Sequence, residues 1–108
     1  MFNSIEGALS RADAGCQLFP HEVIAASQHI VNTLYFLELD ASARMTAEQA
    51  RVTILAYLDS RSINALQWLQ PRDEAMREAA YHALDRLRGV AAPAALNARA
   101  HSLGLKVA

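Results

Sequence analysis

Residues 71–89 run PRDEAMREAAYHALDRLRG, and nearly every position speaks for one helix. Pro71 suits a first helical position, where no amide hydrogen is missed. Asp73 and Glu74 fall in the first turn and Arg86 and Arg88 in the last, each complementing the helix dipole. Gly89 stands where a left-handed terminating residue is expected. Between these ends, Met76, Ala79, Ala80, Ala83, Leu84 and Leu87 recur at three- and four-residue steps and form one apolar stripe. A helix is expected over 71–88.

The same grammar extends in both directions. Upstream, Ile63, Leu66, Trp68 and Leu69 predict a short helix over 62–69, set off by the polar stretch 59–62. Before it, Thr46 and Gln49 have the spacing of a capping box, and Ala47, Ala50, Ile54, Tyr57 and Leu58 form the stripe of a helix over 46–58. Residues 40–45 read as a loop. Pro20 and Glu22 open a longer helix over 20–39, with Val23, Ala26, Ile30, Leu34 and Leu37 as its inner stripe. Asn3 and Glu6 predict a first helix over 4–14, stopped by Gly15. Downstream, Pro93 starts a last helix over 93–103. The expectation is an all-α fold: a compact bundle of five to six helices forming one domain over 1–108.

Composition agrees. The chain has 108 residues, 53% of them hydrophobic and 19% charged, which excludes a disordered chain. Its 22 alanines favour helices and let them approach closely. Nine Arg against one Lys, with that much Ala, suggest a GC-rich bacterial genome. The net charge of −1 supplies no strong field for nucleic acid or an anionic membrane. The balance is uneven: residues 1–60 hold three Arg and seven acids, residues 61–108 seven Arg or Lys and four acids. Halves of opposite sign can dock on one another, dimerise, or present solvated faces. A single cysteine, Cys16, allows no intramolecular disulfide and fits a reducing compartment. Neither a signal peptide nor a spanning segment is legible, so the expected setting is cytoplasmic, with no membrane partner.

Candidate chemistry is sparse. Cys16 follows a helix end rather than the helix N-terminus at which a reactive thiol is expected, and reads as an incidental thiol. Glu78, His82 and Asp85 share a helix face at metal-ligand spacing, but on the side opposite the apolar stripe, which reads as a solvated surface. No catalytic set, phosphate-binding loop or metal motif is present, and no metal, cofactor or enzymatic activity is expected.

Two functional readings remain. Tyr35, Phe36 and Leu39 point away from the inner stripe of their own helix, so its C-terminal end is apolar all round. With Trp68 they form a candidate partner-binding set, because aromatic side chains dominate protein interfaces. This favours a small non-enzymatic interaction module, an adaptor, chaperone, inhibitor or regulator, acting through a helical surface as a homodimer. The alternative is a helix-turn-helix regulator built on 46–69. Arg61, Ser62, Asn64 and Gln67 would face the bases, and Arg72, Arg77, Arg86, Arg88 and Arg99 the phosphates.

Overall fold

The computed structural model describes residues 2–63 and 70–102, with side chains placed as far as Pro93. Among them are four helices: α1 (Asn3–Asp13), α2 (Pro20–Tyr35), α3 (Ala41–Ser60) and α4 (Glu74–Ser102). The all-α expectation holds, with fewer and longer helices than the five to six expected.

α1 ends as anticipated. Gly15 has φ +83°, and the Gly15 and Cys16 amides donate to the Ala12 and Arg11 carbonyls, closing a Schellman turn. Its start differs, since Asn3 lies inside the helix and Phe2 precedes it without a side-chain cap. Phe2 is instead wholly buried beside Ile5, Leu9 and Ala12. Burial of this ring outweighs the cap that Asn3 would have made one position later.

α2 begins at Pro20, and the Glu22 carboxylate accepts from the Phe19 amide at 2.7 Å. It stops at Tyr35, four residues short of the expected end at 39. Stopping there lets Leu37 turn back into the core and Leu39 pack against it. α3 starts earlier than expected. Asp40, not Thr46, is the cap: its carboxylate accepts from the Ala43 amide at 2.7 Å, and residues 41–45 are helical rather than a loop. Thr46 sits within the helix and donates to the Ser42 carbonyl. An Asp cap followed by Ala41, Ala43, Arg44 and Met45 offers a stronger start than a threonine one turn later.

The largest correction lies in 71–103. The helix starts at Glu74 and not at Pro71, and Asp73 caps it, accepting from the Met76 amide at 3.1 Å. Gly89 does not end it, and Pro93 lies within it, so the two expected helices are one. Pro93 has no amide to offer the Gly89 carbonyl, and an interior proline costs ~3 kcal/mol. The inner stripe continues past Gly89, with Leu87 and Ala91 fully buried and Val90 packed on the core. That burial, with alanine at 91, 92, 94 and 95, carries the helix through. Arg86 and Arg88, expected in a last turn, are therefore mid-helix.

The core joins all four helices in one cluster. α4 packs most extensively on α3. Alanines at 47, 50, 80, 83 and 91 line their seam, and Ile54, Tyr57, Leu58, Leu84 and Leu87 fill it. After α3 the chain turns sharply, and Ser62 pairs with Leu18 in an isolated parallel bridge, the Ile63 amide donating to the Leu18 carbonyl at 2.8 Å. A helix opening at Ser62 is thus replaced by an extended residue tied to the α1–α2 loop. The remainder of the expected helix over 62–69 lies outside the described residues, as does Leu103.

Candidate functional site

Part of the charge asymmetry between the two halves is spent inside the molecule. Asp13, at the end of α1, receives Arg72 and Arg77 from the start of α4. Arg72 Nη1 donates to its Oδ1 at 2.7 Å and to its backbone carbonyl at 2.6 Å. Arg77 grips both carboxylate oxygens, Nη2 reaching Oδ2 at 3.0 Å. Hydrogen bonding from Arg77, then the charges of both arginines, hold Asp13 below the ordinary carboxylate range. Arg88 reaches Glu6 at 2.6 Å, and Arg11 pairs with Glu22 across α1 and α2. Arg11, then the Phe19 amide, lower the Glu22 pKa. Arg72, Arg77 and Arg88, three of the five arginines set aside for phosphates, are thus committed to carboxylates. Beneath the Asp13 clamp, Tyr57 is wholly buried, and desolvation raises its phenol pKa.

The residues of the DNA-reading alternative are scattered in character. Ser62 is buried, and Arg61 donates to the Gln70 carbonyl at 3.3 Å. Asn64 and Gln67 lie outside the described residues, and the Arg99 side chain is not described. Glu78, His82 and Asp85 are exposed. His82 and Asp85 line a broad, shallow depression of 640 Å³ with Thr53, Ala79 and Arg86. Among the described residues no three His, Cys, Asp or Glu side chains are grouped to hold a metal. Cys16 is exposed.

The partner-binding set is divided. Tyr35 and Phe36 are 79% and 78% exposed, their rings meeting edge to face at 5.3 Å. Leu39 is only partly buried and lines a cavity of 140 Å³ with Val31, Leu34, Tyr35, Arg44, Ala47 and Glu48. Trp68 lies outside the described residues.

This cavity is one end of a longer groove between α2 and α3. At the other end, Val23, Ile24, Ser27, Val52, Leu55, Ala56 and Asp59 line an open, mainly apolar trough of 440 Å³. The two linings show that α2 and α3 run antiparallel: the start of α2 lies beside the end of α3. Between the troughs, Arg51 Nη1 donates to the Ser27 hydroxyl at 3.3 Å while the same guanidinium holds Glu48 at 2.8 Å. Ile24 and Val52 of the trough and Val31 of the cavity are exposed, as is Met45, one helical repeat before Val52, with Tyr35 and Phe36 at the end of α2. Ile24, Val31 and Tyr35 recur at seven and four residues on α2; Met45 and Val52 are seven apart on α3.

Sequence reasoning found Tyr35 and Phe36 and missed Ile24, Val31, Met45 and Val52. Their signal was present: each is a large apolar residue off its own helix's inner stripe. Singly, such residues are ordinary on a surface. Only the pairing of α2 with α3 brings the four together.

No protein-family model matches the chain, nor does any curated protein or solved structure. Among the described residues, no helix is long and apolar enough to cross a membrane.

Proposed function

We propose that this protein is a small non-enzymatic interaction module, an adaptor, chaperone, inhibitor or regulator, that binds through the α2/α3 face and associates with itself as a homodimer. One observation carries the reading: six large apolar side chains, Ile24, Val31, Tyr35, Phe36, Met45 and Val52, stand exposed along two adjacent helices. Isolated monomers rarely leave such groups contiguous, because covering them releases ~25 cal/mol per Å² of apolar surface. Arg44 and Asp59 stand towards the two ends of the face, while Glu48, Arg51 and Ser27 make one polar crossing at its middle.

The test is Phe36→Glu, read by light scattering after gel filtration with a circular dichroism check. Phe36 is exposed, so the variant should keep its helical spectrum and lose mass or partner binding. Parent protein that stays monomeric at high micromolar concentration would sink the homodimer, and unfolding of the variant would place Phe36 in the core.

A further inference from the structure

The two apolar stripes of the α2/α3 face are centred at the same height, which neither helix alone requires. Ser27 of α2 stands beside Arg51 of α3, and the helices run in opposite directions. Each step forward on α2 is therefore a step back on α3. The midpoint between Ile24 and Tyr35 falls at His29 and Ile30. Counted from the Ser27–Arg51 pair, the same level on α3 is Gln49 and Glu48. The midpoint between Met45 and Val52 falls at these same two residues.

A single two-fold axis, lying in the face and perpendicular to both helices, therefore serves the end residues of both stripes and sets Val31 against Gln28 of the other copy. Rotation about it lays Met45 of one copy over Val52 of the other, and Ile24 over Tyr35. It sets α2 on α2 and α3 on α3, each pair antiparallel. With α2 and α3 already antiparallel in each chain, every neighbouring pair in the resulting four helices is antiparallel, the arrangement of an up-and-down bundle with opposed dipoles side by side. Such an interface is closed and self-complementary, so it yields a dimer and not a filament.

Charge agrees with the geometry. The ionised groups nearest the axis are Glu48 and Arg51, paired at 2.8 Å within one chain. Two copies bring two Glu48 and two Arg51 around one axis, a balanced set in which each arginine can bridge carboxylates of both chains. Their neighbours at this level, Ser27, Gln28 and Gln49, are neutral.

Building on the self-association proposed above, we infer that the occupant of the α2/α3 face is a second copy of this chain, seated antiparallel about an axis at the level of Glu48 and His29. The axial charges supply the test. Glu48→Arg alone surrounds the axis with four arginines, and Arg51→Glu alone with four glutamates. Each full-length variant should run as a monomer by light scattering, a halving of mass at concentrations where the parent is a dimer, with an unchanged circular dichroism spectrum. Mixing the two variants restores the balance, and the mixture should return to dimer mass as a heterodimer. If the parent dimerises but both variants dimerise equally well, self-association survives and this face is not its site. Variants that are monomeric alone and remain so when mixed overturn the antiparallel arrangement. A parent that is monomeric throughout removes self-association itself, and leaves the face to a different protein.

Discussion

Val52 and Ile54 sit two residues apart on α3 and meet opposite fates. Ile54 is wholly buried in the alanine-lined seam with α4; Val52 is 58% exposed on the face shared with α2. One helix thus has an inner side closed by close-packed partners and an outer side that is just as apolar in places but uncovered. The seam is finished: small residues meet large ones, and the charges at its end are paired through Asp13, Arg72 and Arg77. The outer face has a groove, exposed aromatics and one polar crossing at Ser27 and Arg51. The difference teaches that apolar character alone does not distinguish core from interface in this chain. Coverage does.

Substitution at the two positions breaks the comparison most sharply. Ile54→Ala should cost ~2–5 kcal/mol, the range for a cavity in a packed core. Val52→Ala should leave the melting curve of the monomer within about 0.5 kcal/mol, as surface changes do, and act on self-association instead. Urea unfolding at low protein concentration measures both. Equal costs would mean that the outer face is part of the folding core.

The two expected stops, Gly15 and Gly89, give a smaller contrast. A Cβ at either position meets nothing within 4 Å, so only the backbone differs. Gly15→Ala forces alanine into the left-handed region at a cost of ~1–2 kcal/mol. Gly89→Ala removes a flexible residue from the interior of α4 and should stabilise by roughly 0.5–1 kcal/mol. Thermal melts of the two variants should shift in opposite directions; a loss at Gly89 would argue against the continuous α4.

The smallest effect concerns the Asp13 clamp, and it is present at neutral pH and fades in acid. The folded-state pKa of Asp13 is depressed by Arg77 and Arg72. Its contribution to stability is therefore present above the ordinary aspartate pKa of about 4 and is lost as pH falls through the lower folded value. Asp13→Asn should lower stability at neutral pH and flatten the acid limb below about pH 4, with parent and variant converging as pH drops. Parallel curves would show that the clamp is not coupled to folding.

The residues that were legible and those that were not divide along a physical line. Gly15, Pro20 and Glu22 act through bonds within one helical turn, and the sequence places them correctly. So do the inner stripes of α2, α3 and α4, since helical periodicity is local. Gly89 and Pro93 failed as boundaries because a terminating preference of ~1–3 kcal/mol was outweighed by burial of Leu87 and Ala91, which depends on α3. Thr46 failed because Asp40 supplied a better cap, a competition visible in the sequence but not resolved by spacing alone. The aromatic end of α2 was legible as an oddity. The rest of the face was not, because Ile24 and Val31 on one helix and Met45 and Val52 on another are unremarkable until the helices are set side by side.

By itself, the sequence determined that this chain is helical, where its first two helices begin or end, and which side of each helix faces inward. These follow from alanine propensity, capping and a 3.6-residue period, all of which act within a few residues. Only the tertiary structure decided that two expected helices run on as one, that Arg72, Arg77 and Arg88 of the second half bind acids of the first, and that four scattered apolar side chains share one face. Those outcomes depend on which helix lies against which, and that is settled by the summed burial of a common core between residues far apart in the chain.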